Sequence, residues 1–127
     1  MTSKIIKITT TQNKQVVDIT EQIEKELGSG EGVVNLFIKH TTCALTTADL
    51  DPGTDLDMLD AFEEIMPNLN YRHPHDPAHV TDHILSSMIG THLGLPYKNG
   101  KFILGTWQRI VLIELSGPRE RKLVISV

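Results

Sequence analysis

This 127-residue sequence has one cysteine, Cys43, so no disulfide can form within the chain. Disulfides are typical of oxidising compartments, and the residues after Met1 lead into a short amphipathic run instead of the apolar core of a secretory signal. We therefore expect a cytoplasmic protein. A lone cysteine in an apolar strand usually packs as a small hydrophobic residue, which is the role we expect for Cys43.

The chain also lacks long apolar runs and an excess of basic residues. No stretch approaches the roughly 20 apolar residues that a membrane-spanning helix needs, so we expect no membrane association. The formal net charge is −4, which gives no general attraction for nucleic acids. With 39% hydrophobic and 22% charged residues, the composition is that of a folded protein, and the length suits a single domain over residues 1–127.

Alternating and β-branched residues predict strands over 4–10 and 14–19, arranged as a hairpin around Gln12-Asn13. Asp18 and Glu21 have capping-box spacing and predict a short helix that ends at Gly28. Two further strands are expected over 32–39 and 43–47, with His40 at the end of the first.

The second half begins with two amphipathic patterns. Apolar residues at helical spacing predict one helix from Thr54 to Pro67 and another from Val80 to Gly90. Strands are expected over 93–96, 102–104, 106–115 and 122–127, as a β meander. The order of elements therefore predicts an α+β fold with mostly antiparallel sheets and about three helices.

Five of the six histidines lie in one twenty-residue window, at His73, His75, His79, His83 and His92. His79 and His83 are four residues apart on the third predicted helix, so both rings project from one face. Without the glutamate of the HExxH pattern this pair is weak evidence for a metal, because a solvated helix face explains it equally well. Three neutral imidazoles with an open fourth position would form a catalytic type of zinc site, and His40 is the best-placed partner for the cluster.

Three other groups of residues each allow two interpretations. The acidic stretch at Asp49, Asp51, Asp55 and Asp57 offers ligands for Mg²⁺, although acidic residues also favour helix N-termini for electrostatic reasons alone. The only tryptophan, Trp107, fills the core or an interface in one interpretation, whereas in the other Gln108 beside it supplies a polar group to a site. Arg119 and Arg121 form either a phosphate-binding fork or a charged turn that protects an edge strand.

Taken together, these motifs resemble the YjbQ-like family, also known as the secondary thiamine-phosphate synthase family. The resemblance runs from about the first strand to the last. The residues that carry it are His40-Thr41-Thr42, Leu45-Thr46, Asp51-Pro52, Tyr71-Arg72-His73, Asp82-His83-Ile84, Ser86-Ser87-Met88, Gly90, Pro96, Gly100, Gly105-Thr106-Trp107-Gln108 and Gly117-Pro118-Arg119.

The resemblance implies a two-layer, β-sandwich-like α+β fold that assembles as a homotrimer. It also implies a metal site lined by His40, His73 and His83, which match the family's histidine positions. The ion expected there is divalent, with zinc favoured over Mg²⁺. His79 and His92 depart from the family pattern, so whether either joins the site stays open.

The activity implied by the resemblance is thiamine-phosphate synthesis as a weak, secondary capability. This reaction joins hydroxymethylpyrimidine diphosphate to a thiazole phosphate and expels diphosphate, so the expected substrate is a phosphorylated small molecule. We place catalysis in Asp49, Gln108 and Arg119; the segment before Asp51-Pro52 is one residue shorter than in the family, and Asp49 replaces its glutamate. Two alternatives stay open: a metal-dependent hydrolase of a phosphorylated or acyl compound, and a non-catalytic trimer that binds a ligand or partner.

Overall fold

A computed structural model describes residues 2–73 and 79–127. Strands and helices alternate along these residues in the following order: β1 (Ser3–Thr9), β2 (Gln15–Asp18), α1 (Thr20–Glu24), β3 (Glu31–Ile38), β4 (Cys43–Ala48), α2 (Thr54–Ile65), α3 (Val80–Ile89), β5 (His92–Lys98), β6 (Lys101–Phe102), β7 (Arg109–Glu114) and β8 (Glu120–Ser126).

The strands form two antiparallel sheets. The larger has the order β1-β8-β3-β5-β6 and the smaller has the order β2-β7-β4, and every neighbouring pair is antiparallel. This arrangement confirms the predicted α+β class with antiparallel sheets.

Strand β7 lies at the centre of the packing. Its residues alternate between two apolar clusters, because Ile110 and Leu112 contact the inner face of the larger sheet whereas Val111 and Ile113 pack with Leu85 of α3. The smaller sheet is therefore covered on both faces. Burial on both faces explains why β7 is continuously apolar instead of alternating.

The predicted N-terminal hairpin is wrong. β1 pairs with β8, in register Ser3 to Ser126, and β2 pairs with β7, in register Gln15 to Glu114. The two strands thus belong to different sheets. The predicted C-terminal meander is wrong for the same reason, since β5 and β6 lie in the larger sheet, β7 in the smaller and β8 again in the larger. Apolar patterns specify which face is buried but not which strand is the neighbour.

The capping box at Asp18 is also wrong. Helix α1 spans only five residues and has no side-chain cap. Asp18 Oδ1 accepts hydrogen bonds from the backbone N–H and the hydroxyl of Thr20, at 3.0 and 2.7 Å, while its other oxygen and Glu21 bind Arg109. The acidic pair joins α1 to β7 instead of capping the helix.

The two longer helices and Cys43 agree with expectation. α2 ends just before Pro67 and carries Asp55 and Asp57 in its first turn, as the electrostatic interpretation of the acidic stretch predicts. Cys43 is fully buried in the core, and burial raises the pKa of its thiol to about 12. Within residues 2–73 and 79–127, no helix is long and apolar enough to cross a membrane.

Candidate metal and substrate site

The loop between β3 and β4 carries His40 and is held by strand β8. The backbone N–H of Lys122 donates to His40 Nε2 at 2.8 Å, and the N–H of Lys39 donates to the Lys122 carbonyl at 3.2 Å. Burial lowers the pKa of the imidazole, and the positive charge of Arg121 lowers it further. His40 is therefore neutral near pH 7, with its proton on Nδ1 because Nε2 accepts a hydrogen bond.

His83 projects from α3 towards the same loop. Its Nδ1 lies 3.0 Å from the backbone carbonyl oxygen of Thr41. A carbonyl oxygen can only accept, so Nδ1 carries a proton, and in the neutral ring Nε2 has the lone pair. Metal-binding histidines are commonly oriented in this way, with one ring N–H donated to a backbone carbonyl and the other nitrogen turned to the ion.

His73 lies beside His83 although the two residues are ten positions apart. Their ring centroids are 5.3 Å apart and the ring planes differ by 11°. His73 follows α2, so its position depends on how α2 and α3 pack over the smaller sheet. The structure thus brings together two of the three predicted ligands, His73 and His83. The third ligand, His40, directly precedes Thr41, whose carbonyl orients His83.

These residues fit a metal only in part. Among the described residues, no group of three or more histidine, cysteine, aspartate or glutamate side chains is arranged to hold an ion. His83 and His73 are neighbours through their stacked rings. His40 would have to release the Lys122 amide before its Nε2 could bind a metal, since that lone pair is already shared. The ligand set His40, His73 and His83 remains a prediction.

His92 and His79 have other surroundings. His92 is on the outer face of the larger sheet, where its Nε2 lies 3.0 Å from Asn35 Oδ1. His79 lines a cavity of about 930 Å³ between α2 and α3. His75 lies outside the described residues.

The cavity beside His79 is lined by both apolar and polar side chains, and the polar ones include an ion pair. Leu59 and Phe62 of α2 face Leu85 of α3 across it. Lys14 Nζ donates to Asp82 Oδ1 at 2.5 Å and to the Leu115 carbonyl at 2.6 Å, and Asp82 is buried. Cavities of this size hold small-molecule ligands in many proteins.

A buried ion pair, which the sequence patterns do not reveal, lies below the His40 loop. Glu114 and Arg121 are 0% and 2% exposed, and Arg121 Nε donates to Glu114 Oε1 at 2.9 Å. Burial raises the pKa of Glu114, but hydrogen bonds from Arg121, Thr10 and the Ser116 amide outweigh burial and hold it below its usual value. The pair is charged.

Arg119 and Arg121 do not form a fork for phosphate. The guanidinium of Arg121 is used inside the protein, whereas Arg119 is exposed and its Nε donates to the Ser116 carbonyl at 2.7 Å. Arg119 nevertheless acts electrostatically on His40, since its charge contributes to the lowered pKa of that imidazole. Arg119 therefore lies on the side of the molecule that carries His40.

Asp49 and Gln108 lie together in a second cavity of about 360 Å³, beside Trp107, which is 72% exposed. Gln108 Nε2 donates to Thr47 Oγ1 at 3.0 Å, and its Oε1 accepts from the Gly105 amide at 3.1 Å. The sequence Gly105-Thr106-Trp107-Gln108 thus builds a tight turn that displays the indole.

The two groups of predicted site residues lie at opposite ends of β4. His40 and Thr42 precede this strand and Asp49 follows it. Its six residues span about 17 Å at roughly 3.3 Å per residue. Within one chain, Asp49 and Gln108 are consequently remote from the histidine pair.

Comparison with known proteins agrees with this architecture. The sequence model of the family described as "UPF0047 protein YjbQ-like" matches residues 4–127. A UPF0047 protein of Archaeoglobus fulgidus is 32% identical over 92% of this chain and 94% of its own length. UPF0047 protein YugU of Bacillus subtilis is 34% identical over 98% of this chain and 97% of its own. The crystal structure of the conserved hypothetical protein TT1486 from Thermus thermophilus superposes with a TM-score of 0.89 at 32% identity, covering 98% of both chains.

Proposed function

Because this chain belongs to the YjbQ-like UPF0047 family, we propose that it is a metal-binding enzyme that acts on a phosphorylated small molecule. His83, His73 and His40 hold a divalent ion in this proposal, and His40 does so by exchanging the Lys122 amide at its Nε2 for the metal. Three imidazoles favour zinc over Mg²⁺, which prefers oxygen ligands. Weak thiamine-phosphate synthesis, implied by the family resemblance, is the specific reaction proposed.

One observation carries the proposal: the Thr41 carbonyl fixes the proton of His83 on Nδ1, so the lone pair of Nε2 is available next to His73. An ion bound by these nitrogens would polarise a substrate oxygen or the oxygens of a leaving diphosphate. Arg119 and Lys122, both exposed near His40, would bind and neutralise the anionic group. The cavity between α2 and α3 would hold the apolar part of the substrate.

Assembly as a homotrimer is part of the proposal. Asp49 and Gln108 are remote from the histidines of their own chain, so they can share a site with histidines only if another protomer supplies them. The exposed Trp107 beside them supports an interface there, because large exposed aromatic side chains often mark contact surfaces. A cytoplasmic location is proposed with it, consistent with a single buried thiol.

The test compares metal content and turnover in the wild type, His83→Ala and His92→Ala. His92 is the matched control, because it is an exposed histidine bonded to Asn35 on the outer sheet face. We expect close to one zinc per chain in the wild type and His92→Ala, measured by elemental analysis, and a loss of at least tenfold in affinity in His83→Ala. The activity assay supplies hydroxymethylpyrimidine diphosphate and thiazole phosphate and follows the release of diphosphate.

The same assays separate the alternatives. Phosphate release from simple phosphate esters, without condensation, would identify a metal-dependent hydrolase. Metal or ligand binding with no turnover would identify a non-catalytic trimer. A wild-type protein without stoichiometric metal, whose activity is unchanged by His83→Ala, would refute the proposed enzyme.

A further inference from the structure

The buried pair of Glu114 and Arg121 is hydrogen-bonded to residues of three other segments, at Thr10, Thr42 and Ser116. Glu114 Oε1 accepts from Arg121 Nε and from Thr10 Oγ1 at 2.9 and 2.7 Å, and its Oε2 accepts from Arg121 Nη2 and the Ser116 amide. Replacing a buried ion pair by apolar side chains is often neutral or stabilising. A contribution to stability therefore does not by itself explain why this position holds an ion pair.

Arg121 also holds the loop that carries the proposed site. Its Nη2 donates to the carbonyl and to the hydroxyl of Thr42, at 3.1 and 2.9 Å. The next residue of β8, Lys122, holds His40 through its backbone amide. Strand β8 thus fixes the residues on both sides of Thr41, whose carbonyl accepts the Nδ1 proton of His83.

We propose that Arg121, anchored by Glu114, is a positioning residue that holds the His40–Thr42 segment so that His83 keeps its proton on Nδ1 and its lone pair on Nε2. Its importance for metal binding rests on the proposed function. The effect of Arg121 on the tautomer of His83 does not depend on the proposed function, because all of the contacts involved are between residues of this chain.

Two variants and one matched control test this proposal. Arg121→Lys keeps a positive charge beside Glu114 but lacks the planar fork that reaches both Glu114 and Thr42. Thr42→Val removes only the hydroxyl that accepts from Arg121. Thr10→Val removes a hydroxyl that donates to the same Glu114 but lies outside the loop, so it reports the general effect of weakening the buried pair.

The direct measurement is the tautomer of the neutral His83 ring in metal-free protein, read from the imidazole ¹⁵N chemical shifts at the alkaline limit of a pH series. We expect the Nδ1–H form in the wild type and in Thr10→Val. In Arg121→Lys we expect a shift towards the Nε2–H form that free histidine favours, with a smaller shift in Thr42→Val. Zinc affinity, measured against a chelator, is expected to fall about 10- to 100-fold in Arg121→Lys, the range seen when partners of a metal ligand are lost.

The outcomes separate this inference from the proposed function. An unchanged His83 tautomer in folded Arg121→Lys, or an equal change in Thr10→Val, would overturn the positioning role. If Arg121→Lys does not fold, the comparison of Thr42→Val with Thr10→Val decides in the same way. If the wild type binds no zinc, the proposed function fails, while the tautomer measurement still decides the role of Arg121.

Discussion

The two ring nitrogens of a histidine have different roles, and the neighbours of His40 and His83 fix these roles through different nitrogens. Both contacts favour a proton on Nδ1. His83 donates from Nδ1 to a carbonyl 42 residues away in sequence, whereas His40 accepts at Nε2 from an amide 82 residues away. Spacing along the chain singled out both residues but could not assign their protons, because the partners are backbone groups of distant segments.

Residue patterns also miss the buried ion pair. Glu114 ends an apolar strand and Arg121 lies in a charged turn region, and both positions usually face solvent. They are buried because β7 and β8 bring them together beneath the His40 loop. A sequence without its fold gives no signal for such a pair.

Gly117 packs tightly against the same region, so Gly117→Ala is expected to destabilise the protein. An added Cβ would lie 2.8 Å from Glu114 Cγ and 2.9 Å from Thr10 Oγ1, and closer still to the Gln12 carbonyl oxygen. We expect a loss of about 1–3 kcal/mol in the free energy of unfolding, measured by urea denaturation. The control is Gly28→Ala, where no atom lies within 4 Å and no loss is expected; equal stabilities of the two variants would contradict the packing argument.

At the scale of elements, the sequence predicts which segments form helices and strands better than it predicts their neighbours. Helices α2 and α3 follow from apolar periodicity and from Pro67 and Gly90, which are local signals. The pairing of β1 with β8 and of β2 with β7 depends on contacts between distant strands. Local patterns contain no information on such pairs, which is why the hairpin and the meander were wrong.

The ion pairs that join α1 to β7 give a specific pH dependence. Arg109 Nε lies 2.8 Å from Asp18 Oδ2, and its Nη2 lies 2.5 Å from Glu21 Oε1. Burial raises the pKa of Asp18, but hydrogen bonds from Arg109 and Thr20 outweigh burial and lower it overall. The hydrogen bond from Arg109 also lowers the pKa of Glu21.

Because both pKa values are lowered on folding, the stabilisation is complete above the unfolded-state pKa values of about 4 and is lost as the pH falls through the folded-state values. Arg109→Gln should therefore be about 1 kcal/mol less stable than the wild type at pH 7, with the difference shrinking towards pH 2–3. Thermal unfolding of both proteins between about pH 2 and pH 7 measures this difference in stability. The control is Lys98→Gln, which removes an exposed lysine 3.8 Å from Glu31 and should leave the loss of stability at acid pH unchanged. A stability difference between Arg109→Gln and the wild type that stays constant at all pH values would refute the role of Asp18 and Glu21.

At the scale of the whole molecule, the length of β4 separates the two groups of predicted site residues. The predicted site residues included both the histidines and Asp49, although the strand expected over 43–47, observed as β4, separates His40 from Asp49. The proposed homotrimer removes the conflict, since it allows different protomers to contribute.

We expect native mass spectrometry to give a mass of three chains of 14.2 kDa each. Trp107, the only tryptophan, should be covered in this assembly, because it is 72% exposed in the single chain. Its fluorescence emission should therefore shift to longer wavelength on dilution to the monomer. A monomeric mass at micromolar concentration would contradict the assembly.

The pairing of β1 with β8 also has a consequence for folding kinetics. Ser3 and Ser126, which share a hydrogen bond, are 123 residues apart in sequence, so the larger sheet has a high contact order. Chains dominated by such pairings fold in milliseconds to seconds instead of microseconds. During synthesis on the ribosome, β1 emerges before β8, so the strand edge that pairs with β8 has no partner until β8 is released.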